Sequence, residues 1–265
     1  MDCISAILKQ SHPVDIIIIV NNGSTDGTLE WLESLDSKYF HVINQDNRGS
    51  SGGMYKGIYT AYNLGFEWFW CMDDDGLPDT LALQQLFEFG HKKPCMMNSL
   101  VLNIQNKSEL AFPILGTCDA SKFVDSIIPD ISHLFNGTFI HREIVSTVGL
   151  PLEALFIWGD ESEYFFRIKH KFECFTVVTS RHYHPKPTFN WRDNWDETIL
   201  FKLWYKIRNQ FFVYRSQHRC YIFATVKYLL FICTIFVLIF LFQRNKLNKM
   251  RLVYSAVKGI KQFNK

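Results

Sequence analysis

Short apolar segments alternate with helix-like segments through the first 105 residues of the chain. Residues 14–20, 40–43 and 67–72 are rich in β-branched and aromatic residues, a composition typical of strands buried in a parallel sheet. Segments with the pattern of helices lie around these strands, at 2–10, 28–35, 54–66 and 79–90. Together with a further strand-like run at 95–104, this alternation predicts an α/β fold with right-handed crossovers.

The pattern changes in the second half of the chain. Residues 105–150 show little periodicity, whereas residues 174–179 (CFTVVT) have the composition of a strand. An acidic turn near residue 160 leads into a helix that ends near residue 170, and the chain from residue 189 onward is predicted to form aromatic, basic helices. Several polar motifs directly follow strands, at the edge where open α/β sheets bind ligands.

The net charge of +2 conceals a strong division along the chain. Residues 1–188 contain 14 basic and 23 acidic side chains, whereas residues 189–265 contain 14 basic and 3 acidic ones. This asymmetry is typical of proteins that contact a membrane or a polyanion. With 48% apolar residues the chain is not disordered. Its seven scattered cysteines argue against a disulfide scaffold or a structural zinc site, and they indicate a reducing compartment.

The most apolar segment of the chain, residues 221–242, carries a single charge at Lys227. Its uninterrupted part, 228–242, is shorter than the roughly 20 residues that a full membrane span needs. Basic residues flank it on both sides, so the positive-inside rule gives no orientation. A monotopic arrangement, with this helix and a helix at 246–264 lying on the membrane face, is therefore favoured over one transmembrane helix. A buried pair of soluble helices is the remaining alternative, and nucleic acid is not expected as a partner.

Three carboxylates, Asp73, Asp74 and Asp75, follow the strand predicted at 67–72. Alternate side chains of an extended backbone point the same way, so Asp73 and Asp75 suit a hard divalent cation such as Mg²⁺ or Mn²⁺. The alternative is a solvated acidic turn before the next helix.

Residues 45–53 are predicted to form a glycine-rich loop that contains Arg48 and Gly49. The backbone N–H groups of such a loop bind phosphate, and Arg48 adds a positive charge. The loop lacks the ending of a P-loop, so a flexible connection is an equally good interpretation.

Two more clusters have chemical potential. The acidic run at 160–163 lies among aromatic residues, where one carboxylate could act as a general base; otherwise it is an acidic helix N-terminus. His182 and His184 alternate on an extended segment, where one could ligate a metal; otherwise both are surface histidines before a proline.

The chain resembles the inverting family-2 glycosyltransferases of the GT-A fold, because it carries that family's motifs in the same order. These are VNNGSTDGT, NRGSSGGMYKG, FWCMDDDGLP, FIWGDESEYFFR, a His-Pro pair and WYKIRN. The resemblance covers roughly residues 3–215 and is strongest to the galactofuranosyl- and rhamnosyl-transferase branch, which builds bacterial surface polysaccharides such as O-antigen and capsule. It implies an α/β fold, with a Rossmann-like mixed sheet flanked by helices.

The resemblance also implies a binding site for a UDP- or dTDP-linked sugar donor. Asn21 and Asn22 lie where the family contacts the base and ribose, although most relatives carry Asp at the position of Asn21. Arg48 and Gly49 match the loop near the donor phosphates.

The metal site implied by the resemblance is the DXD motif, with Asp73 and Asp75 holding Mn²⁺ or Mg²⁺ on the diphosphate. Asp74 would lie nearer the sugar or ribose. His184 falls where related transferases place a metal-ligating histidine, with His182 as the alternative.

The reaction implied by the resemblance is a single inverting displacement. Asp160 and Glu161 match the acidic pair that supplies the catalytic base, and the register favours Glu161. Trp158 would line the acceptor side. The acceptor would be a lipid-linked oligosaccharide or growing polysaccharide at the cytoplasmic face of the bacterial inner membrane.

The expected organisation is a catalytic domain at 1–188, a helical extension at 189–220 and membrane-associated helices at 221–265. The family opens with a strand before its first helix, whereas Met1 runs directly into a predicted helix. We therefore expect that strand to be missing and the edge of residues 14–20 to be exposed. The alternative functions are a truncated, non-catalytic remnant or binding subunit of a polysaccharide assembly system, and a sugar nucleotidyltransferase, whose N-terminal glycine-rich signature is absent.

Overall fold

A computed structural model of the protein describes residues 2–90 and 93–263, with only the backbone of Gln262. The chain forms two compact units. The first comprises Met1–Asn47, Gly53–Leu150 and Ile168–Pro187, and the second comprises Arg48–Gly52, Pro151–Arg167 and Thr188–Lys265.

The first unit opens with a small parallel sheet. The elements in chain order are α1 (Asp2–Leu8), β1 (Ile17–Asn21), α2 (Thr28–Glu33), β2 (Phe40–Asn44) and α3 (Gly49–Asn63). β1 and β2 pair only with each other among the described residues, with Ile17 opposite Phe40 and Asn21 opposite Asn44. The predicted strands and the first two helices are therefore confirmed.

The larger sheet of the first unit has eight strands of mixed direction. Its elements, in chain order with the helices between them, are β3 (Trp68–Met72), β4 (Leu77–Pro78), α4 (Ala82–Gly90), β5 (Met96–Asn103), β6 (Asn106–Ile114), β7 (Thr117–Asp119), β8 (Ile127–Pro129), β9 (Asn136–His141), α5 (Arg142–Val148) and β10 (Cys174–His184). Helix α6 (Asp160–Lys169) precedes β10 in the chain and belongs mostly to the second unit. The main strand order is β3-β9-β5-β10-β4, with β5 and β10 parallel and β3 and β9 antiparallel. This mixed sheet confirms the predicted fold class.

Strand β10 is longer than the strand predicted at 174–179. Its register with β5 shifts between Val177 and Arg181, which is a bulge, and pairing then resumes as far as His184 opposite Asn103. A bulge adds unpaired residues without ending the strand, so the sequence pattern stops early while the ladder continues. This extension fixes His182 and His184 on a strand.

The core of the first unit is formed by the larger sheet and α4. All eight residues of β5 are buried, as is typical of a central strand with both faces covered. Leu86 of α4 and Ile140 of β9 are fully buried, so the helix covers one face of the sheet.

The second unit is mostly helical. Its long helices are α7 (Glu197–Gln217), α8 (Tyr221–Phe242) and α9 (Lys246–Phe263). The side chain of Asp196 caps α7 by accepting a hydrogen bond from the backbone of Ile199. Buried residues of α7, α8 and α9 share one hydrophobic core, formed by Leu203, Ile207, Ile235, Ile239, Val253 and Ala256, together with Trp195 before α7.

Helix α8 is the one helix, within the described part of the chain, that is long and apolar enough to cross a membrane. Only one side of it is packed, with Ala224, Tyr228, Ile235 and Ile239 buried. Its other side exposes large apolar side chains, including Ile222, Leu229, Leu230, Val237, Phe240 and Leu241. The predicted boundaries at residues 188 and 220 stay predictions.

Candidate active site

The three aspartates lie in a turn that directly follows β3. The backbone N–H of Asp73 donates to Phe135 at 2.9 Å, and the N–H of Gly76 donates to the carbonyl of Asp73 at 3.4 Å. A side chain at Gly76 would collide with the imidazole of His182, so only glycine lets the turn lie against β10. The turn formed by DDDG thus lies against the strand that carries His182 and His184.

The structure brings Asp75 and His184 together. His184 Nε2 lies 3.2 Å from Asp75 Oδ1, and His184 Nδ1 lies 2.6 Å from the carbonyl oxygen of Pro185. The hydrogen bond from His184 holds the pKa of Asp75 below its ordinary value. Burial alone would lower the pKa of His184, but the hydrogen bond and charge of Asp75 outweigh burial and raise it.

The donor atoms at this pair fit a divalent cation. A carbonyl oxygen only accepts, so Nδ1 of His184 carries a proton, and its Nε2 lone pair becomes available to a metal when the proton that it shares with Asp75 is lost. Imidazole nitrogen and carboxylate oxygen are ligands that suit Mn²⁺. Within the described residues, no group of three or more His, Cys, Asp or Glu side chains is gathered closely enough to hold a metal. Metal binding by Asp73, and by the Asp75–His184 pair, therefore stays a prediction.

His182 occupies a different environment from His184. It is completely buried between Gly76 and Gly137, and within residues 2–90 and 93–263 neither ring nitrogen has a hydrogen-bond partner. Burial lowers the pKa of His182 to about 4. A neutral ring packed on two glycines suits a structural role, whereas His184 meets the carboxylate.

The side-chain amides predicted to contact the nucleotide form hydrogen bonds with residues near the ends of β1 and β2. Asn21 Nδ2 donates to Asn44 Oδ1 at 3.1 Å, and Asn21 Oδ1 accepts from the backbone of Ser24 at 3.2 Å. Asn22 Oδ1 accepts from Gln45 Nε2 at 2.9 Å. Asn21 is buried, so it joins the ends of β1 and β2, a role that its position in a turn motif did not indicate.

The loop predicted at 45–53 ends at Arg48, and the rest of the segment is helical. Helix α3 begins at Gly49, because the N–H of Gly52 already bonds the carbonyl of Arg48 at 3.3 Å. Arg48 forms an exposed ion pair with Glu153 at 2.9 Å. The backbone N–H of Ser51 donates to Phe156 at 3.1 Å. Prediction of a loop at 45–53 was therefore wrong at its end, because contacts with residues 152–156 stabilise a glycine-rich helix start.

The acidic run forms the first turn of α6, where carboxylates are stabilised by the helix dipole. Asp160 is completely buried, and Glu161 is partly exposed with its Oε2 3.4 Å from the backbone nitrogen of Gly159. Glu163 is buried and forms a two-pronged ion pair with Arg167 at 2.7 and 2.9 Å. The two predicted candidates thus differ from Glu163, whose charge is already used within the helix.

Helix α7 faces this acidic turn with residues to which the sequence motif WYKIRN had assigned no role. Burial lowers the pKa of Lys206, while the charges of Glu161 and Asp160 oppose that shift. The next residues, Arg208 and Asn209, donate hydrogen bonds to backbone carbonyls just before α6. Polar residues in the middle of a helix with many apolar and aromatic residues are the signal that could have identified them.

Trp158 packs within the second unit. Its ring lies 5.7 Å from that of Phe189, and the ammonium of Lys202 lies 5.8 Å from its ring centroid. Its backbone φ is +58°, which is unusual for a bulky residue. The predicted contact with an acceptor stays a prediction.

Comparison with known sequences supports one family. Residues 2–107 match the family described as Glycosyl transferase family 2. Galactofuranosyltransferase GlfT1 of Mycolicibacterium smegmatis is 30% identical over 197 residues, which are 69% of this chain and 65% of that protein. Poly-beta-1,6-N-acetyl-D-glucosamine synthase of Staphylococcus epidermidis is 28% identical over 160 residues, 56% of this chain and 37% of the synthase. The chain spans less than two thirds of the length of these relatives.

Comparison with solved structures supports the fold. S. aureus TarS 1–349 superposes with a TM-score of 0.55 at 14% identity, covering 95% of this chain and 64% of that one. GalNAc-T7 with UDP, GalNAc and Mn²⁺ gives a TM-score of 0.52 at 13% identity, covering 78% and 46%. These identities are too low to transfer function, so the likeness shows the fold alone. The fold, the order of motifs and the sequence relatives therefore agree in supporting a galactofuranosyltransferase-like glycosyltransferase of family 2, and the family match itself covers residues 2–107.

Proposed function

We propose that the protein is an inverting, metal-dependent glycosyltransferase. It moves galactofuranose, rhamnose or a similar sugar from a nucleoside-diphosphate donor to a hydroxyl of a lipid-linked or growing surface polysaccharide. The observation that carries this proposal is the partly exposed carboxylate of Glu161, in the first turn of α6. The GlfT1 relatives support galactofuranose as the sugar, and the UDP complex of TarS supports a UDP-linked donor.

Glu161 acts as the general base in this mechanism. It lies in the first turn of α6, near the ammonium of Lys206, and its carboxylate accepts the proton of the attacking hydroxyl. Asp160 is buried directly before it and carries the same charge, so it is the second candidate. A single displacement from the face opposite the leaving group inverts the anomeric carbon.

Asp75 and His184 are the residues that would hold the metal, with Asp73 from the same turn. A bound Mn²⁺ or Mg²⁺ would offset the negative charge of the leaving diphosphate. The carboxylate and imidazole of the pair already face each other, so ligand placement requires little rearrangement. The family resemblance is the basis for proposing that five further residues bind the donor: Asn21, Asn22, Arg48, Gly49 and Asp74.

The test is release of nucleoside diphosphate from UDP-galactofuranose, UDP-galactose and dTDP-rhamnose, with Mn²⁺ and an octyl galactofuranoside acceptor. We expect Glu161→Gln, Asp160→Asn and Asp75→Ala to abolish transfer while the thermal midpoint Tm stays close to that of wild type. Glu33→Gln, an exposed glutamate on α2, is the matched control and should keep full activity.

Two outcomes would redirect the assignment. Wild-type turnover in all three variants would exclude these residues as the site. Binding of UDP by calorimetry without turnover of any donor would favour the non-catalytic binding subunit instead.

The proposed location is the cytoplasmic face of the membrane, with α8 lying in the membrane plane. The packed side of α8 contacts α7 and α9 along its length: Tyr228 bonds the carbonyl of Ile207, and Ile235 and Ile239 share the core with α9. A spanning α8 would carry the charged side chains of α9 into the bilayer, at about 2.5–3.5 kcal/mol for each one at its centre. An in-plane helix inserts only its exposed apolar side.

The basic residues around α8 suit an anionic lipid surface. Helix α9 alone carries four basic residues besides the buried Lys249: Lys246, Arg251, Lys258 and Lys261. Each basic group near anionic lipid contributes about 1 kcal/mol, so charge and apolar insertion act together. A lipid-linked acceptor would be presented at this same surface.

A further inference from the structure

The loop before α6 has an unusually strained backbone. Phe156 has φ +67° and ψ −63°, and the N–H of Ile157 bonds the carbonyl of Leu155 at 2.8 Å, which together make a γ-turn of the rare, positive-φ kind. Trp158 has φ +58° and Gly159 has φ +107°. Three of the four residues that lead into Asp160 are therefore in conformations that L side chains disfavour, and such strain persists only where neighbours hold it.

Asn209 of α7 is the neighbour that holds this loop most directly. It is completely buried, and its amide nitrogen lies within hydrogen-bond distance of three carbonyl oxygens: Leu155 at 2.8 Å, Ile157 at 3.0 Å and Trp158 at 2.9 Å. These carbonyls converge on one point only because the γ-turn and the positive φ of Trp158 turn them inward. The amide and the strained backbone thus specify each other.

Arg208 forms further hydrogen bonds with the same loop. Its Nη2 donates to the carbonyls of Ala154 at 2.7 Å and Leu155 at 3.1 Å, and its Nε donates to the side-chain oxygen of Asn209 at 2.9 Å. The guanidinium lies about 5 Å from the rings of Trp204 and Tyr205, which fix its plane. Arg208 therefore orients Asn209 as well as the loop.

We propose that Arg208 and Asn209 are positioning residues that hold the strained 154–159 loop and thereby fix the catalytic carboxylate at the start of α6. This inference rests on the proposed function, because it concerns the same base. Their hydrogen bonds to the loop all go to backbone carbonyls, so they act directly on the path of its backbone. Neither residue touches the reacting atoms.

The test compares Asn209→Leu with Gln210→Leu in the full-length protein. Leucine keeps the branching and the number of heavy atoms of the asparagine side chain but has no hydrogen-bonding group. Gln210 makes no hydrogen bond to residues 154–158 in the part of the chain that the structure describes. With UDP-galactofuranose as donor, Asn209→Leu should lower kcat about 100-fold, the effect of a misplacement of about 1 Å, with little change in KM. Gln210→Leu should match wild type.

The pH profile separates positioning from loss of folded protein. Lys206 faces Asp160 and Glu161 from α7, and the Glu163–Arg167 pair lies on α6 itself, so a displaced loop changes the surroundings of the base. The acidic limb of the pH profile of kcat should therefore shift in the Asn209→Leu variant. A folded variant with wild-type kcat and profile overturns the proposal, as does a loss of kcat that only follows the folded fraction. If Asn209→Leu does not fold, Arg208→Lys is read by the same criteria.

Parallel assays of Glu161→Gln and Asp160→Asn distinguish the two levels of inference. If either is inactive and Asn209→Leu is unchanged, the base stands and the positioning role is wrong. If both retain wild-type turnover, the proposed base is wrong, and the role of Arg208 and Asn209 in fixing it falls as well.

Discussion

The carboxylates of the acidic run differ in what surrounds each one. Glu163 is 2% exposed and accepts hydrogen bonds from Arg167 and from Ser216 Oγ at 2.7 Å. Glu161 is partly exposed and lies on the first turn of the same helix. At the scale of single residues, a charge already engaged by two donors stabilises the fold, whereas a charge at the helix start is available for chemistry.

This difference predicts that two matched substitutions change the free energy of unfolding by different amounts. Glu163→Gln should lower the free energy of unfolding by about 1.5–3 kcal/mol, because it weakens buried hydrogen bonds to a charged group. Glu161→Gln should change it by less than about 0.5 kcal/mol. Urea denaturation of both variants measures the difference, and equal stabilities would contradict the structural role of Glu163.

The start of α3 illustrates what decides an element. The glycines at 49–53 are poor helix formers, and the sequence alone predicts a loop there. The structure begins the helix at Gly49, whose φ is +69°. A Cβ atom at this position would overlap the carbonyl of Phe156. Contacts with a segment more than a hundred residues away thus stabilise the first turn, including the bond from Ser51 Oγ to Leu152 at 2.7 Å.

Two glycines of this helix start are expected to respond in opposite directions. Gly49→Ala introduces a Cβ that overlaps the Phe156 carbonyl at a positive φ, and we expect it to be destabilised by at least about 1 kcal/mol. Gly53→Ala has nothing within 4 Å of the new methyl group and should be stabilised by about 0.5–1 kcal/mol. Thermal unfolding of the pair tests this, and a Gly49→Ala variant as stable as wild type would refute the contact.

At the scale of the whole molecule, the proposed contact with a membrane depends on helix α8. Helix α8 has one packed side and one exposed apolar side, which is the arrangement of an in-plane helix. Its exposed thiols offer a direct measurement, because Cys220 precedes α8 and Cys233 lies near its middle. These two positions are separated by about 20 Å along the helix axis.

Spin labels at these two cysteines should report the same depth in vesicles that contain anionic lipid. Single-label proteins are Cys220→Ser and Cys233→Ser, and the double variant measures background from the other thiols. Burial raises the pKa of Cys71 and Cys174 to about 12, so these react slowly. A label at Cys233 that lies at the bilayer centre while Cys220 stays at the surface would show a spanning helix instead.

The alternation of strands and helices, the likeness to family-2 glycosyltransferases and the positions of the acidic motifs can be read from the sequence, because they depend on local periodicity and short motifs. Other features come from tertiary packing. It extended β10 through a bulge to His184, began α3 at Gly49 and gave Asn21 a partner in Asn44. It also joined Arg208 and Asn209 to a loop about fifty residues away. Such contacts depend on which distant segments pack together, and no local pattern of hydrophobic and polar residues encodes that.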